Sequence, residues 1–343
     1  MESYQHTVAI IGAGITGLAC ARELTASGFN VTVFDKGRSP GGRTATRRTA
    51  PDFEFDHGAQ YDTARDPLFQ KVTADWVQRG IVAEWQGRIV RLEAGVATET
   101  TPLPRYVGTP GMSAMAADLA SGLHVHSGIQ VVRIHRDSAG WNLTTASQDV
   151  HGPFQSLVVS LPSPQAAALL NDHPFGALAA AISMTPCWAV MVAFDSKLEV
   201  PWDAAFVHGS PLSWVARDSS KPGRSQQHDA WVLHATPEWS AKNLEQSPET
   251  SASELLAAFS ALTDAPLPTH CFLQAHRWRY SLGSDPAEKS SGRSRRPPRR
   301  LRRLALGRTC RSAFLSGIEA AQDQRNVGPH TPGLHKHATP RRP

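Results

Sequence analysis

The residues best suited to chemistry lie near the start of the chain. Gly12-Ala13-Gly14-Ile15-Thr16-Gly17 places three glycines in the pattern G-x-G-x-x-G. Asp35 follows about 20 residues later. Each position has a job in holding a dinucleotide. Gly12 permits a tight turn, and Gly14 lets the backbone approach a pyrophosphate. Ile15 and Thr16 lie in the same turn, and Gly17 lets a helix pack closely on a strand. The anion then faces free N–H groups and the positive end of a helix dipole. Asp35 can accept hydrogen bonds from a ribose diol. The flanking sequence supplies the elements this needs. Val8-Ala9-Ile10-Ile11 reads as a short buried strand, Leu18 to Ser27 as a helix stopped by Gly28, and Val31-Thr32-Val33-Phe34 as a second strand ending on Asp35. This is a βαβ unit built for dinucleotide binding.

Beyond Asp35 the chain reads Lys36-Gly37-Arg38-Ser39-Pro40-Gly41-Gly42-Arg43. This stretch resembles the second fingerprint of the flavin-dependent amine oxidase superfamily. Gly42 and its neighbour let the backbone run near the cofactor, and Arg43 offers a forked donor to offset phosphate charge. Three further stretches resemble the renalase-like oxidases of that superfamily, the bacterial ones above all. They are Phe55-Asp56-His57-Gly58-Ala59-Gln60-Tyr61, Arg105 to Ser113, and His276-Arg277-Trp278-Arg279-Tyr280. The resemblance covers residues 6 to 282, with an island at Ala313 to Ala321.

The resemblance implies an α/β fold, a Rossmann-like FAD-binding domain with a smaller mixed β-sheet substrate domain. The FAD domain takes 1–75, 105–170 and 274–322, the substrate domain 76–104 and 171–273, and a disordered tail 323–343. FAD is expected to be bound non-covalently. Cys310 lies near the superfamily's attachment region but lacks its flanking pattern, and His57 reads as a structural histidine beside a flexing glycine. By resemblance the cofactor contacts comprise Gly12, Gly14, Ile15, Thr16, Gly17, Asp35, Lys36, Gly42, Arg43, Gly58, Ala59, Gln60, Val131 and Pro162.

Renalase-like enzymes oxidise isomeric dihydronicotinamides of the NAD(P)H type. A hydride passes to FAD, and O₂ reoxidises it to give hydrogen peroxide. Such a transfer needs face-on placement of the substrate more than a tuned acid or base. By resemblance Tyr61 walls the substrate pocket; the alternative is a half-buried core aromatic. A strand at 276–280 sends His276, Trp278 and Tyr280 to one face, and Arg277 and Arg279 to the other. The first set forms a pocket over the flavin, or else a strand buried between domains. Tyr61, His276, Trp278 and Tyr280 are the candidate catalytic residues. The other reading is an amine or amino-acid oxidase. Those enzymes keep a lysine near the flavin, and no lysine of this sequence is assignable to that role. A third reading is an inactive family member whose basic tail meets nucleic acid.

The net charge of +5 is unevenly spread. From Pro286 onward there are 14 Lys/Arg and 3 Asp/Glu, leaving 21 and 27 for the rest, so the body carries −6 and the tail +11. The tail's Arg clusters lack interleaved aromatics. They supply nonspecific, salt-sensitive phosphate affinity rather than specific nucleic-acid recognition. The expected partners are a small-molecule substrate, dihydronicotinamide or amine, and O₂. No apolar run approaches the ~20 residues that cross a bilayer, so no membrane partner is expected. The first residues lack a signal-peptide pattern, and Cys20, Cys187, Cys271 and Cys310 show no metal-ligand or redox spacing. A cytoplasmic protein with reduced thiols and no metal is expected.

Other elements can be read more coarsely. Pro67 to Arg79 reads as a helix burying Leu68, Val72 and Trp76, and Trp85 to Thr101 as a hairpin of the second domain. Val125 to His135, Gly140 to Thr145 and a buried Ser156 to Pro162 read as strands. Cys187 to Phe194 and Ala230 to Ala235 are β-favouring runs, Ser219 to Gly223 is a loop, and Ser251 to Leu262 is an amphipathic helix. Ser284 to Arg303 is rich in Arg, Pro and Ser and has no hydrophobic period. The family's Gly-Asp pair, which receives the ribityl chain, is missing from Leu304 to Arg311. Resemblance is lost, regained at Ala313 to Ala321 and lost again, which suggests a shifted reading frame, the alternatives being a natural basic extension or a genuine divergence.

Overall fold

The computed structural model describes residues 5–50, 52–263, 266–283 and 310–326. The segment 284–309 and the residues after 326, where the missing Gly-Asp pair and most of the expected tail fall, lie outside the described residues.

In chain order, β1 (Thr7–Ile11), α1 (Ile15–Ala26) and β2 (Asn30–Asp35) form the opening unit. A small hairpin of β3 (Arg47–Thr49) and β4 (Phe53–Phe55) and helix α2 (Pro67–Gln78) follow. Then come β5 (Val82–Glu84), β6 (Ile89–Glu93), β7 (Val96–Glu99), β8 (Tyr106–Gly108) and α3 (Ser113–Ala120). Next are β9 (His124–Ser127), β10 (Val131–Arg136), β11 (Trp141–Thr145), β12 (Val150–Phe154) and β13 (Ser156–Val159). Helices α4 (Ser163–Leu169) and α5 (Pro174–Ala180) lead to β14 (Met184–Phe194), β15 (Ala204–His208), β16 (Leu212–Arg217) and β17 (Asp229–Ala235). The last elements are α6 (Pro237–Lys242), α7 (Pro248–Ser260), β18 (His270–Gly283) and α8 (Cys310–Asn326).

Two sheets organise the molecule. The first is four-stranded and wholly parallel, in the order β13-β1-β2-β9. Helices α1, α3 and α8 cover one face, where Val8, Ile10, Leu18, Leu24, Val33, Met115 and Phe314 form one core. The second is seven-stranded and mixed, in the order β18-β14-β17-β16-β15-β6-β7. Only β15 and β6 pair in parallel there; the other pairs are antiparallel. Helix α7 packs Leu255 and Phe259 against its Trp188, Val190 and Trp231. The chain is thus a Rossmann-like α/β unit joined to a mixed multi-strand sheet, as expected. The hairpin read at 85–101 is β6–β7, inside the second sheet.

Some local expectations need correction. Val125 to His135 is not one strand. Gly128 adopts φ +75°, and the chain turns there from β9 in the parallel sheet to β10 in a separate three-stranded sheet. The buried stripe of α2 is Phe69, Thr73 and Trp76, while Leu68 is 44% exposed. The run after Ser156 is half-buried, because β13 is the edge strand of its sheet among the described residues. Residue 274, the expected domain boundary, falls inside β18, whose pairing with β14 continues on both sides of it.

The helix starts separate structural from functional ends. Asp66, Thr236 and Ser247 each cap a helix by accepting from its first-turn N–H groups, and each is followed by proline. By contrast, α1 begins at Gly14 with no side-chain cap and no acidic residue in its first turn. Helix α8 lies directly on α1. A Cβ at Gly317 would stand 2.4 Å from the Thr16 carbonyl oxygen and 2.8 Å from the Ala19 side chain. Gly317→Val is therefore expected to lever α8 off the phosphate-binding turn and to cost about 1–3 kcal/mol of stability. Thermal unfolding checks this; an unchanged Tm would mean that the two helices are not in tight contact.

Candidate active site

Three separated glycine segments meet backbone to backbone. The turn after β1 and the Gly41–Arg43 loop form a bridge between Gly14 and Gly41, and the Gly41 N–H donates to the Ala13 carbonyl at 2.9 Å. The Arg43 carbonyl then accepts from the Ala59 N–H at 2.9 Å. Gly58 is needed there, since a Cβ would stand 2.1 Å from the Arg43 carbonyl oxygen and 3.3 Å from the Trp278 ring. One continuous path therefore joins Gly12, Gly14, Ile15, Thr16 and Gly17 through Gly42 and Arg43 to Gly58, Ala59, Gln60 and Trp278.

The residues fit the adenosine diphosphate half of a flavin nucleotide. The uncapped start of α1 presents N–H donors, and a Cβ on Gly14 would have nothing within 4 Å, which leaves room for a pyrophosphate. Gly12 and Gly17 differ in kind: their added Cβ atoms would strike the Ser160 and Gly12 carbonyl oxygens at 2.3 and 1.9 Å. Asp35, at the end of β2, is held by N–H donation from Ala13 and Gly37, both at 2.6 Å. Each carboxylate oxygen accepts only one of these bonds, so lone pairs remain for a diol. Lys36 is exposed beside it. Val131 is buried at the start of β10 against Phe34. Pro162 ends the turn whose Ser160 and Leu161 line Gly12. Arg43 donates to the Ser281 carbonyl at 2.7 Å, so this guanidinium also ties β18 to the loop.

The structure brings His276 and Trp278 together with a residue the motif analysis had set aside. Their rings lie 4.5 Å apart, and His57 packs on both, at 4.8 and 5.0 Å. The His57 carbonyl accepts from Trp278 Nε1 at 2.9 Å and from His234 Nε2 at 3.1 Å. Burial, with help from His276, Arg47 and His234 and against Asp56, holds the His57 imidazole down at about 3. Burial and then Arg47 hold His276 at about 4. Burial likewise holds His234 at about 4, partly offset by its bond to the His57 carbonyl. All three imidazoles are therefore neutral at neutral pH. Arg277 and Arg279 project to the opposite face and pair with Glu245, at 2.9 and 2.6 Å. The ring contacts join His57, His276 and Trp278, with none described for Tyr280. The register against β14 slips between Trp278 and Leu282, the stretch that holds Tyr280.

Tyr61 lies at the other end of the Gly58 segment, in an aromatic wall with Trp214 and Trp85, at 5.5 and 6.5 Å between ring centres. The Arg105 guanidinium stands 5.3 Å from the Tyr61 ring centre. Arg105 Nε and Trp214 Nε1 are buried without a hydrogen-bond partner among the described residues.

Behind this wall is a polar network that sequence reading missed. Asp56 is fully buried, and it accepts from Thr46 at 2.8 Å, from the Met112 N–H at 2.9 Å, and from Arg224. Lys221, 2% exposed, lies 3.5 Å from Asp56, 2.6 Å from Asp218 and 3.2 Å from Gln60 Oε1. Burial would push the Asp56 carboxyl up, but Lys221, Arg224 and the Met112 N–H outweigh it and hold it below the ordinary range. Burial, assisted by Asp56's charge, pushes Asp218 up. The sequence held one clue: acids and bases facing each other across Asp56 and Asp218-Ser219-Ser220-Lys221-Pro222-Gly223-Arg224. Asp218 and Lys221 pair locally, but nothing local joins either to Asp56.

Gly14→Val is expected to fold with a Tm close to that of flavin-free wild type yet take up no FAD, whereas Gly17→Ala is expected to lose the fold itself. Flavin absorbance per chain and Tm separate the two; full flavin content in Gly14→Val would contradict this site.

Known proteins agree with this geometry. Residues 10–75 match the NAD(P)-binding Rossmann-like domain, and residues 85–323 match the flavin containing amine oxidoreductase family. A protein from Exiguobacterium sp. 255-15 assigned as a protoporphyrinogen oxidase superposes with a TM-score of 0.75 at 12% identity, over 95% of this chain and 99% of that one. A variant of putrescine oxidase gives 0.69 at 14% identity, over 94% and 99%. In sequence, the tRNA 5-methylaminomethyl-2-thiouridine biosynthesis bifunctional protein MnmC of Magnetococcus marinus is 29% identical over 197 residues, 45% of this chain and 29% of that protein. The chain spans under a third of the length of the curated relatives it matches. With more than half of its length matched by one family and the nucleotide cradle in place, the chain belongs to the flavin containing amine oxidoreductases and is an FAD-dependent oxidoreductase.

Proposed function

We propose that this oxidoreductase is renalase-like, oxidising isomeric dihydronicotinamides of the NAD(P)H type. Bound FAD would accept a hydride from such a substrate and return the electrons to O₂, giving hydrogen peroxide. The observation that carries the reading is Arg105, whose guanidinium lies over Tyr61 and donates to the Leu103 carbonyl at 3.4 Å, with Nε buried and without a partner among the described residues. A cation on the aromatic wall suits a substrate that bears phosphate and a flat ring. It opposes a protonated amine. Tyr61 and Trp214 form the aromatic wall against which the nicotinamide would lie.

The neutral histidines fit the same reading. His57 and His276 hold no proton to give at neutral pH, and a hydride donor does not ask for one. They and Trp278 act by shape, keeping water away and fixing the Gly58 segment. The amine or amino-acid oxidase reading gains one observation, a lysine buried behind Gln60. Yet the three oxygens nearest Lys221 belong to Asp218, Gln60 and Asp56, so its N–H donors are directed into the network.

Anaerobic mixing tests the choice. Dihydronicotinamide isomers are expected to bleach the flavin band and a panel of amines to leave it; bleaching by amines alone would overturn the proposal. Arg105→Ala is expected to raise KM roughly 10- to 100-fold, the worth of a charge-assisted hydrogen bond, with kcat kept. With His57 near 3 and His276 near 4, the rate is expected to stay flat from pH 6 to 8.

A further inference from the structure

Three strand ends meet at the edge of the second sheet that lies far from the flavin path. Strands β17 and β18 both run antiparallel to β14, so their starts flank its end, with Phe194 opposite both Asp229 and His270. Asp195 follows β14, His228 precedes β17, and Cys271 is the second residue of β18. The register slips there: Ala193 faces Phe272 while Phe194 faces His270. Cys271 is thus the extra residue of a β-bulge, a device that turns a side chain away from its regular direction.

The bulge turns Cys271 toward His228. Cys271 Sγ lies 3.6 Å from His228 Nδ1, and the ligand atoms of Asp195, His228 and Cys271 all lie within 4.8 Å of one another. The His228 ring is held by Phe53, 5.2 Å away between ring centres. A tetrahedral Zn²⁺ with Zn–S of about 2.3 Å and Zn–N of about 2.0–2.1 Å demands an S···N edge of about 3.5–3.6 Å. The observed edge matches it. Sulfur, imidazole nitrogen and one carboxylate together select a borderline ion and not Mg²⁺ or Ca²⁺. Cys271 lies seven positions before Trp278 along β18, roughly 23 Å of extended chain.

We propose that Asp195, His228 and Cys271 form a Zn²⁺-class site, with the fourth position open to water, that clamps the ends of β14, β17 and β18. On binding, the Cys271 thiol proton leaves to solvent as the metal–sulfur bond forms; no redox change is involved. The ion stabilises the fold without entering the oxidase chemistry, because it binds only the native arrangement of three strand ends.

The test uses tag-free, flavin-loaded protein. His330, His335 and His337 of the basic tail are rival ligands, so the readout must report sulfur. Co²⁺ alone is the probe, with its thiolate-to-metal band in the near ultraviolet and its d–d bands to the red of the flavin. Zn²⁺ alone is then used for the shift in Tm. The wild type is expected to show the cobalt–thiolate band and a raised Tm with zinc. Cys271→Ser and His228→Gln are expected to lose both, while keeping the flavin spectrum and turnover that show them folded. No thiolate band in the wild type, or a band that survives in Cys271→Ser, would overturn the proposal.

Discussion

The buried carboxylate of Asp56 is the constraint on which the rest of the structure depends. It is fully buried, and its partners come from three distant stretches of chain: Thr46, the Met112 backbone, and the Lys221–Arg224 loop of the second sheet. Its own N–H donates to Asp218 at 3.2 Å. A lone charge in such a place would cost several kcal/mol; two acids facing two bases keep the cluster neutral. Two residues along begins Gly58-Ala59-Gln60-Tyr61. Gln60 is gripped from both sides, donating to the Asp56 carbonyl and accepting from Lys221. The network thus fixes the one segment that joins the nucleotide cradle to the substrate wall.

Division of labour follows from this frame. The parallel sheet supplies an uncapped helix start and a carboxylate at a strand end, which together suit a dinucleotide. The mixed sheet supplies Trp278, His276 and Trp214, which shape the space beside the Gly58 segment. Every imidazole near that space is held neutral by burial. The cations close to it, Lys221 and Arg224, are tied to carboxylates, whereas the Arg105 Nε is without a partner among the described residues. A site with the Arg105 guanidinium beside aromatic walls suits discrimination by substrate charge and flatness more than by acid–base strength.

Legibility from sequence divides along the same lines. Gly12 to Gly17, Asp35 and Gly41–Arg43 were readable because each works through its own backbone, over a few residues. Alternation along β18 set Arg277 and Arg279, which pair with Glu245, apart from His276 and Trp278, which stack with His57. Lys221 was not readable as a buried group, because Ser-Ser-Lys-Pro-Gly has the composition of an exposed turn. Besides Asp218, three residues before it, its partners are Gln60 and Asp56, 161 and 165 positions away, and no local pattern announces them. Leu68 and Phe69 are both apolar, and the cap at Asp66 sets which of them faces inward. The Cys271 group shows no metal spacing in the sequence, because its members come from three strand ends brought together only by register.

The most direct measurement is a double-mutant cycle on Asp56 and Arg224, read as the temperature at which flavin is released. Asp56→Asn and Arg224→Gln should each lower it, by the equivalent of about 3–5 kcal/mol for a broken buried pair. The double variant should be no worse than the poorer single one, since both remove the same interaction. Additive losses, or an Asp56→Asn protein that holds its flavin as firmly as the wild type, would show that the segment along the flavin is positioned by something other than this buried pair.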